Sequence, residues 1–270
     1  MESRAEKAIS YLVLSLMAVV VLFPVVWFLL ISLSPETSGA ISLSRPRWSN
    51  FAHAWQQAGF SHAMLASLVV VVASVIGQLV LAVTTGYGLG VLNAAGHSVI
   101  FPLILLGMMV STEAVIVPLY YQFRSLGLTN SWLGLIIIQT GMGVPFGTYW
   151  MRATFRALPG QLAESARIDG ANSLRLLWSI LIPLARPAIY TLALLSFMWI
   201  WNDYFISLVF IADPAKQTAT VALGVFQGRF LVQVNYMAAA SLVVAAPVLI
   251  LYVFFQRQFI RGVLAGALKE

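Results

Sequence analysis

The chain has no cysteine and few charged residues, and each shortage narrows its class. Without cysteine it forms neither disulfides nor thiolate metal sites. Its three histidines, His53, His62 and His97, are scattered and lack metal-ligand spacing. Only 9% of the 270 residues are charged, whereas 60% are hydrophobic; soluble domains have roughly 25% charged residues. The composition predicts an all-α polytopic membrane protein with no metal site and no cofactor.

Six apolar segments are each long enough, at about 20 residues, to cross the hydrocarbon core as a helix. The first is too long for a signal peptide and lacks a good cleavage site, so we expect a retained anchor. Residues 1–270 then form a single transmembrane domain. The six predicted spans are Ile9–Leu33, Met64–Leu92, Val99–Tyr121, Trp132–Met151, Pro187–Ile211 and Tyr236–Phe255.

The basic residues predict the orientation of these spans, because short loops rich in Lys and Arg stay in the cytoplasm. With both termini inside, ten of the 15 basic residues are cytoplasmic and five are outside. Topology thus explains the net charge of +6 better than binding to nucleic acid does. The inner ten are Arg4, Lys7, Arg152, Arg156, Arg167, Arg175, Arg186, Arg257, Arg261 and Lys269; the outer five are Arg45, Arg47, Arg124, Lys216 and Arg229.

The cytoplasmic loop 152–186 is the longest polar segment among the spans, and it carries the signals of two short helices. Pro159 suits the first position of a helix that continues to about Ile168. Gly170 suits the position just after its end, where a left-handed backbone is common. The loop is therefore predicted to be ordered.

The second helix of this loop is predicted over Leu174–Ile182. Asn172 or Ser173 can cap its first turn, and Pro183 is expected to interrupt it. The sequence therefore predicts two helices joined by a glycine elbow.

The charges of the first helix raise the question of a partner. Glu164 and Arg167 are three residues apart and can pair on one face. Asp169 falls at the negative end of the helix dipole, where an anion is disfavoured. Such an acid indicates either an outside partner or a local role, in which Asp169 meets Arg175 or caps the second helix.

The same loop resembles the EAA loop of ABC-importer permeases, with Ser165 in place of the usual alanine. The resemblance rests on Glu164-Ser165-Ala166, Asp169-Gly170-Ala171 and Ile182-Pro183-Leu184. Further segments resemble carbohydrate-uptake permeases of the maltose-transporter second-subunit type. They are Phe23-Pro24-Val25-Val26-Trp27, Ile31-Ser32-Leu33, Pro118-Leu119-Tyr120, Leu126-Gly127-Leu128, Trp201-Asn202-Asp203, Gln256-Arg257, Gly262, Ala265-Gly266-Ala267 and Lys269.

The resemblance implies a type I importer permease in a cell membrane. Its implied partners are a second permease, two ATP-binding subunits and an extracytoplasmic sugar-binding protein. In such importers the EAA helix docks in a cleft of an ATPase subunit and moves as a lever. The chain has no GxxxxGK[ST] phosphate loop, so we expect no enzyme activity of its own. The residues assigned to ATPase coupling are Glu164, Ser165, Ala166, Arg167, Asp169, Gly170, Ala171 and Pro183.

The tail Arg261–Glu270 has two possible partners. In the family such tails can reach the ATPase interface. Alternatively, Arg257, Arg261 and Lys269 simply contact anionic membrane lipid.

Two acids fall inside predicted spans, where burial costs about 2.5–3.5 kcal/mol unless they face water or a partner. Asp203 shares a predicted helical face with Trp199, and Asn202 adds an amide, so the three could contact sugar. The family has Trp-Asn-Asp regardless of sugar, which favours a structural or gating role. Glu113 precedes Pro118 in a helix expected to bend, and it could line a cavity or bind freed backbone groups.

Two other classes of protein remain as alternatives. An ion-coupled secondary transporter needs buried ion sites and usually an internal repeat, and the sequence shows no repeat. A non-transporting scaffold would explain the spans but would leave the ordered loop without a use.

Overall fold

The computed structural model describes residues 4–35, 41, 46–228 and 233–267, with the backbone alone at residues 4, 5, 8 and 257–267. The basic residues Arg45, Arg229 and Lys269, and the side chains of Arg4, Arg257 and Arg261, therefore lie outside the described part. The helices are α1 (Arg4–Ser32), α2 (Ser49–Gln57), α3 (Phe60–Gly90), α4 (His97–Leu106), α5 (Thr112–Ser125), α6 (Trp132–Arg156), α7 (Gly160–Ile168), α8 (Ser173–Arg175), α9 (Ile182–Trp201), α10 (Phe205–Phe210), α11 (Ala219–Ala222) and α12 (Val234–Ala267).

Shorter helical segments join some of these helices. A π-helical segment, Leu176–Leu181, connects α8 to α9 without a gap. Single 3₁₀ turns lie at Pro214–Lys216 and Leu223–Phe226.

Four helices in the described ranges are long and apolar enough to cross a membrane. They are Ile9–Ser32, Phe60–Gly90, Ser173–Trp201 and Val234–Gln256, and they correspond to the first, second, fifth and sixth predicted spans. The fourth predicted span lies in the 25-residue α6.

The third predicted span, Val99–Tyr121, is wrong as a single helix. α4 ends at Leu106 and α5 begins at Thr112, so residues 107–111 form a break. At the break Gly107 packs on α6, where an added Cβ would lie 2.9 Å from the Pro145 ring. Pro118 lies within α5. The hydropathy of this segment predicts its apolar length, but it carries no signal for a break inside an apolar run.

The fifth predicted span, Pro187–Ile211, is displaced at both ends, because the helical run begins at Ser173 and stops at Trp201. The expected interruption at Pro183 is also wrong. In the π segment the Ile182 N–H bonds to the Leu177 carbonyl, five residues back. Pro183 then occupies one of the first positions of α9, where a missing N–H costs little.

The chain divides into two compact units, and the first contains a buried polar cluster. Asn50 of α2 donates two hydrogen bonds from Nδ2, to the carbonyls of Ser32 (2.8 Å) and Ser34 (2.9 Å). Asn235 of α12 donates to the Ser34 carbonyl as well (3.4 Å). These bonds satisfy carbonyls left free at the end of α1. The first unit is Met1–Ala63 with Ala222–Pro247, and the second is Met64–Val221 with Val248–Glu270.

In the second unit, α3 and α6 run parallel and approach closely along small residues. An added Cβ on Gly147 would lie 2.7 Å from the Ala82 Cβ, and one on Gly86 would lie 2.7 Å from the Met151 Cβ. Gly143 faces Gln78 directly, whose Nε2 donates to the Gln139 carbonyl at 2.7 Å. These glycines therefore permit the close approach of α3 and α6.

Replacing Gly143 with alanine should destabilise the protein by about 1–3 kcal/mol, because the new methyl group overpacks the contact with Gln78. Gly141→Ala is the matched control on the same helix, since nothing lies within 4 Å of its added Cβ. Both changes raise helix propensity equally. Thermal unfolding in detergent should give a lower midpoint for Gly143→Ala only; equal midpoints would contradict this account of packing.

Candidate functional site

The end of α7 has the geometry of a Schellman motif. Gly170 has a φ of 81°, and its N–H donates to the Arg167 carbonyl at 3.0 Å. The next N–H, that of Ala171, donates to the Ala166 carbonyl at 2.9 Å. These two bonds satisfy carbonyls at the helix end. The prediction that Gly170 follows the end of the first loop helix is confirmed.

The second helical segment of the loop begins with a side-chain cap. The Asn172 Oδ1 accepts from the Arg175 N–H at 2.8 Å. Of the two alternatives predicted for this cap, Asn172 or Ser173, the structure therefore confirms Asn172. The Ser173 carbonyl also accepts from the Tyr87 hydroxyl of α3 at 3.0 Å. The elbow between the two helices is thus tied to the bundle of the second unit.

Ala166 anchors α7 to this bundle. It is 6% exposed, whereas Glu164, Ser165, Arg167, Asp169 and Gly170 are all exposed. A small residue at position 166 lets the helix lie close to its neighbours. The core that holds Ala166 contains Ala82, Val83, Tyr87, Met151, Phe155, Leu176, Leu177, Leu181, Ala185 and Leu192.

The charged residues of the loop are directed away from local pairing. Within the described residues, Glu164 and Arg167 form no ion pair, so the expected pair is wrong. Both instead line a cleft of about 290 Å³ between α7 and the bundle. The Asp169 N–H donates to the Ser165 carbonyl at 3.0 Å, but its carboxylate makes no hydrogen bond or ion pair with any described residue, which removes both local roles considered for it. The cleft is lined by Gly90, Val91, Phe155, Arg156, Leu158, Pro159, Gly160, Ala163, Glu164, Arg167 and Leu181.

Arg152 joins the end of α6 to two other helices. Its Nε donates to the Leu89 carbonyl of α3 at 3.1 Å, and its guanidinium lies 3.8 Å from the centre of the Phe101 ring of α4. Burial lowers the pKa of Arg152, as does the neighbouring charge of Arg156, yet a guanidinium stays protonated at neutral pH. In the sequence Arg152 indicated only the orientation of the spans, and no local pattern predicted these contacts.

Asp203 caps the short helix α10. Its Oδ2 accepts from the Ser207 N–H (3.0 Å) and the Ser207 hydroxyl (2.9 Å), and its Oδ1 accepts from the Ile206 N–H (3.3 Å). Its carbonyl accepts from the Thr220 hydroxyl at 2.7 Å. Backbone and hydroxyl donors occupy the carboxylate. This favours a structural role for Asp203 over contact with the sugar.

Trp199 lies in the last turn of α9, and Asn202 directly follows the end of that helix. Because α9 stops at Trp201, the expected helical face shared by Trp199 and Asp203 is wrong. Trp199 is 55% exposed and its ring meets Phe146 of α6 edge-on, with centroids 5.0 Å apart. Asn202 is exposed and donates to the Met198 carbonyl at 2.8 Å.

Glu113 is the second residue of α5, directly after the break at 107–111. It is exposed and accepts a hydrogen bond from the Ser111 hydroxyl. No hydrogen bond among the described residues joins Glu113 to Trp199, Asn202 or Asp203. The predicted path residues therefore lie in or beside two separate helix breaks, one before α5 and one before α10.

Comparison with known proteins gives the family and the fold. The family described as the binding-protein-dependent transport system inner membrane component matches residues 82–264. A crystal structure of a bacterial ABC transporter involved in the import of the acidic polysaccharide alginate contains a chain with the same fold. Its TM-score is 0.82 at 24% identity, over 96% of this chain and 99% of that one.

Two relatives are similar along nearly their whole length. The diacetylchitobiose uptake system permease protein of Streptomyces coelicolor is 31% identical over 98% of this chain and 90% of its own. The trehalose transport system permease protein of Mycobacterium tuberculosis is 29% identical over 98% and 99%. The chain therefore belongs to the family of inner-membrane components of binding-protein-dependent transport systems, and it is a multi-pass protein of the cell membrane and not an enzyme.

Proposed function

We propose that the chain is a permease subunit of an ATP-driven importer for a carbohydrate. The observation that carries the coupling role is the closed shape of the α7 elbow, which is seated in the bundle by Ala166 and exposes its charges. The carbohydrate follows from the relatives, whose names specify diacetylchitobiose and trehalose. The same family favours this function over an ion-coupled secondary transporter.

The proposed assembly contains a second permease, two ATP-binding subunits and an extracytoplasmic binding protein. The chain crosses the membrane six times with both termini in the cytoplasm. The broken pair α4–α5 serves as the third crossing and α6 as the fourth. The excess of Lys and Arg on the proposed cytoplasmic side supports this orientation.

Coupling to the ATPase takes place at the loop 158–184. The exposed residues Glu164, Ser165, Arg167, Asp169 and Gly170 form the surface for the ATPase subunit, with Ala171 closing the elbow. Because Ala166 packs in the core with Leu176, Leu177 and Leu181, movement of α7 carries the start of α9 with it, through Pro183. Arg152 links the same region to α4, which ends at the break.

The two helix breaks line the translocation path. Residues 107–111 are all exposed, and several of their backbone groups have no partner among the described residues. Free backbone groups cannot face hydrocarbon, so such a break has to face water or another protein. Glu113 follows the first break, whereas Trp199 precedes the second break and Asn202 lies in it. These three residues offer polar and aromatic surface to a sugar.

Gly170→Leu should reduce both uptake and recovery of the ATPase subunits with the permease. A non-glycine residue at a φ of 81° costs about 1–2 kcal/mol, enough to shift docking roughly tenfold. Gly170→Asn is the control, since asparagine tolerates this conformation better, and it should retain most activity. Uptake and affinity-purified ATPase should be measured together; the prediction fails if both variants behave alike.

Asp203→Ala should lower the maximal rate of uptake while leaving the KM for the sugar nearly unchanged. The change removes the cap of α10, at a cost of about 1 kcal/mol. Ser207→Ala is the companion variant and should act in the same direction but more weakly. A large rise in KM without loss of rate would instead assign Asp203 to sugar contact.

A cysteine placed in the first break should react with a charged, membrane-impermeant thiol reagent. The chain has no native cysteine, so each variant carries a single thiol. Met109→Cys, at a position 81% exposed, should be labelled, whereas Leu103→Cys on α4, at a position 60% exposed, should not, because lipid suppresses the reactive thiolate. Equal labelling of the two would refute a water-facing break.

A further inference from the structure

A buried side chain near each end of α3 forms a hydrogen bond that leaves the helix. In the last turn, the Tyr87 hydroxyl donates to the Ser173 carbonyl of the loop at 3.0 Å. Close to the start, the Ser67 hydroxyl accepts from the N–H of Ala219, the first residue of α11, at 2.8 Å. Tyr87 is 5% exposed and Ser67 is 2% exposed. Within the second unit, α3 thus connects the elbow of the loop to α11.

The helix α11 is in turn bonded to the second break, residues 202–204, which lies between α9 and α10. Thr220, the neighbour of Ala219 in α11, donates from its hydroxyl to the Asp203 carbonyl at 2.7 Å. The Asp203 carboxylate caps α10. Ser67 is therefore linked to the break through a single turn of helix.

The two bonds of α3 are separated by about the thickness of a membrane. Ser67 and Tyr87 are about 30 Å apart along the helix at 1.5 Å per residue, and the hydrocarbon core is about 30 Å thick. The helix is continuous over this length and contains no proline. Gly143 and Gly147 hold α6 close against it. Because closely packed helices transmit strain, a displacement at one end of α3 reaches the other end.

We propose that Tyr87 and Ser67 are positioning residues that couple the loop to the second break through α3. This inference rests on the proposed function, in which the ATPase subunits act on the loop and the break lines the translocation path. When the ATPase moves Ser173, the Tyr87 bond displaces α3, and the Ser67 bond displaces α11 and Asp203 with it. Packed helices and hydrogen bonds that join two distant sites can carry such coupling.

The test measures the second break directly with a reporter thiol. Tyr204→Cys places one cysteine in the break, at a position 46% exposed, in a chain that has none of its own. The assembled transporter, purified with its ATPase subunits and placed in nanodiscs, is labelled with a charged maleimide. Labelling is compared with and without ATP and vanadate, which should change its rate at residue 204 several-fold.

Tyr87→Phe and Ser67→Ala, each combined with the reporter, should remove this response to ATP while the ATPase subunits stay bound and hydrolyse ATP. The Ser173 carbonyl keeps the Leu176 N–H as a partner, so Tyr87→Phe should fold. A purely structural role for Tyr87 would lower the midpoint of thermal unfolding and leave the response to ATP intact.

Two further variants make the test specific. Thr85→Val is the matched control, because it removes a hydrogen bond between α3 and Thr148 of α6 (2.7 Å) but none to the loop or to α11. It should lower the unfolding midpoint about as much as Tyr87→Phe does, yet keep the response to ATP. Thr220→Val replaces Ser67→Ala if the latter fails to assemble, since it breaks the same link beside the second break.

The outcomes separate this inference from the proposed function. A response to ATP that persists in Tyr87→Phe or in the variant at the other end, or that Thr85→Val also removes, overturns the inference alone. If no ATPase co-purifies, or if the chain with the reporter alone gives no response, the proposed function falls and the inference falls with it.

Discussion

Backbone hydrogen bonding inside a hydrocarbon layer is the constraint on which this structure depends. Each N–H and C=O within the membrane needs a partner, so the chain is almost wholly helical and its departures from helix carry information. The breaks before α5 and α10 interrupt the helices, and the π segment before α9 changes the register of the backbone hydrogen bonds. Particular residues lie at each of them: Gly107 packs on Pro145, Asp203 caps α10, and Pro183 lies in the first turn of α9, directly after the π segment.

The loop 152–186 and the long apolar helices of the second unit are built on one hydrophobic core. Ala166 of α7 and Leu177 of the π segment belong to the same cluster as Ala82 of α3 and Leu192 of α9. A force on the loop therefore acts directly on helices that cross the membrane. Arg152 extends this connection to α4 through Phe101. The first break begins where α4 ends.

Sequence patterns predicted local features well and tertiary ones poorly. Caps and elbows depend on a few adjacent residues, so Gly170 and Asn172 were correctly placed. The break at 107–111 was missed because apolar residues continue through it, and the contact of Gly107 with Pro145 of α6 joins residues far apart in the sequence. Pro183 was expected to end a helix because the π register that accommodates it leaves no signature in the residues. The contacts of Arg152 join three helices, which no single stretch of sequence can indicate.

The closed elbow at Gly170 also bears on how quickly a complex could assemble. Two backbone bonds and the Asn172 cap hold the loop in one shape in the isolated chain. A segment that is already ordered loses little conformational entropy when it associates. Encounter with a partner then requires correct orientation but no folding step, so the rate of association would be set by diffusion and by the charges that surround the elbow.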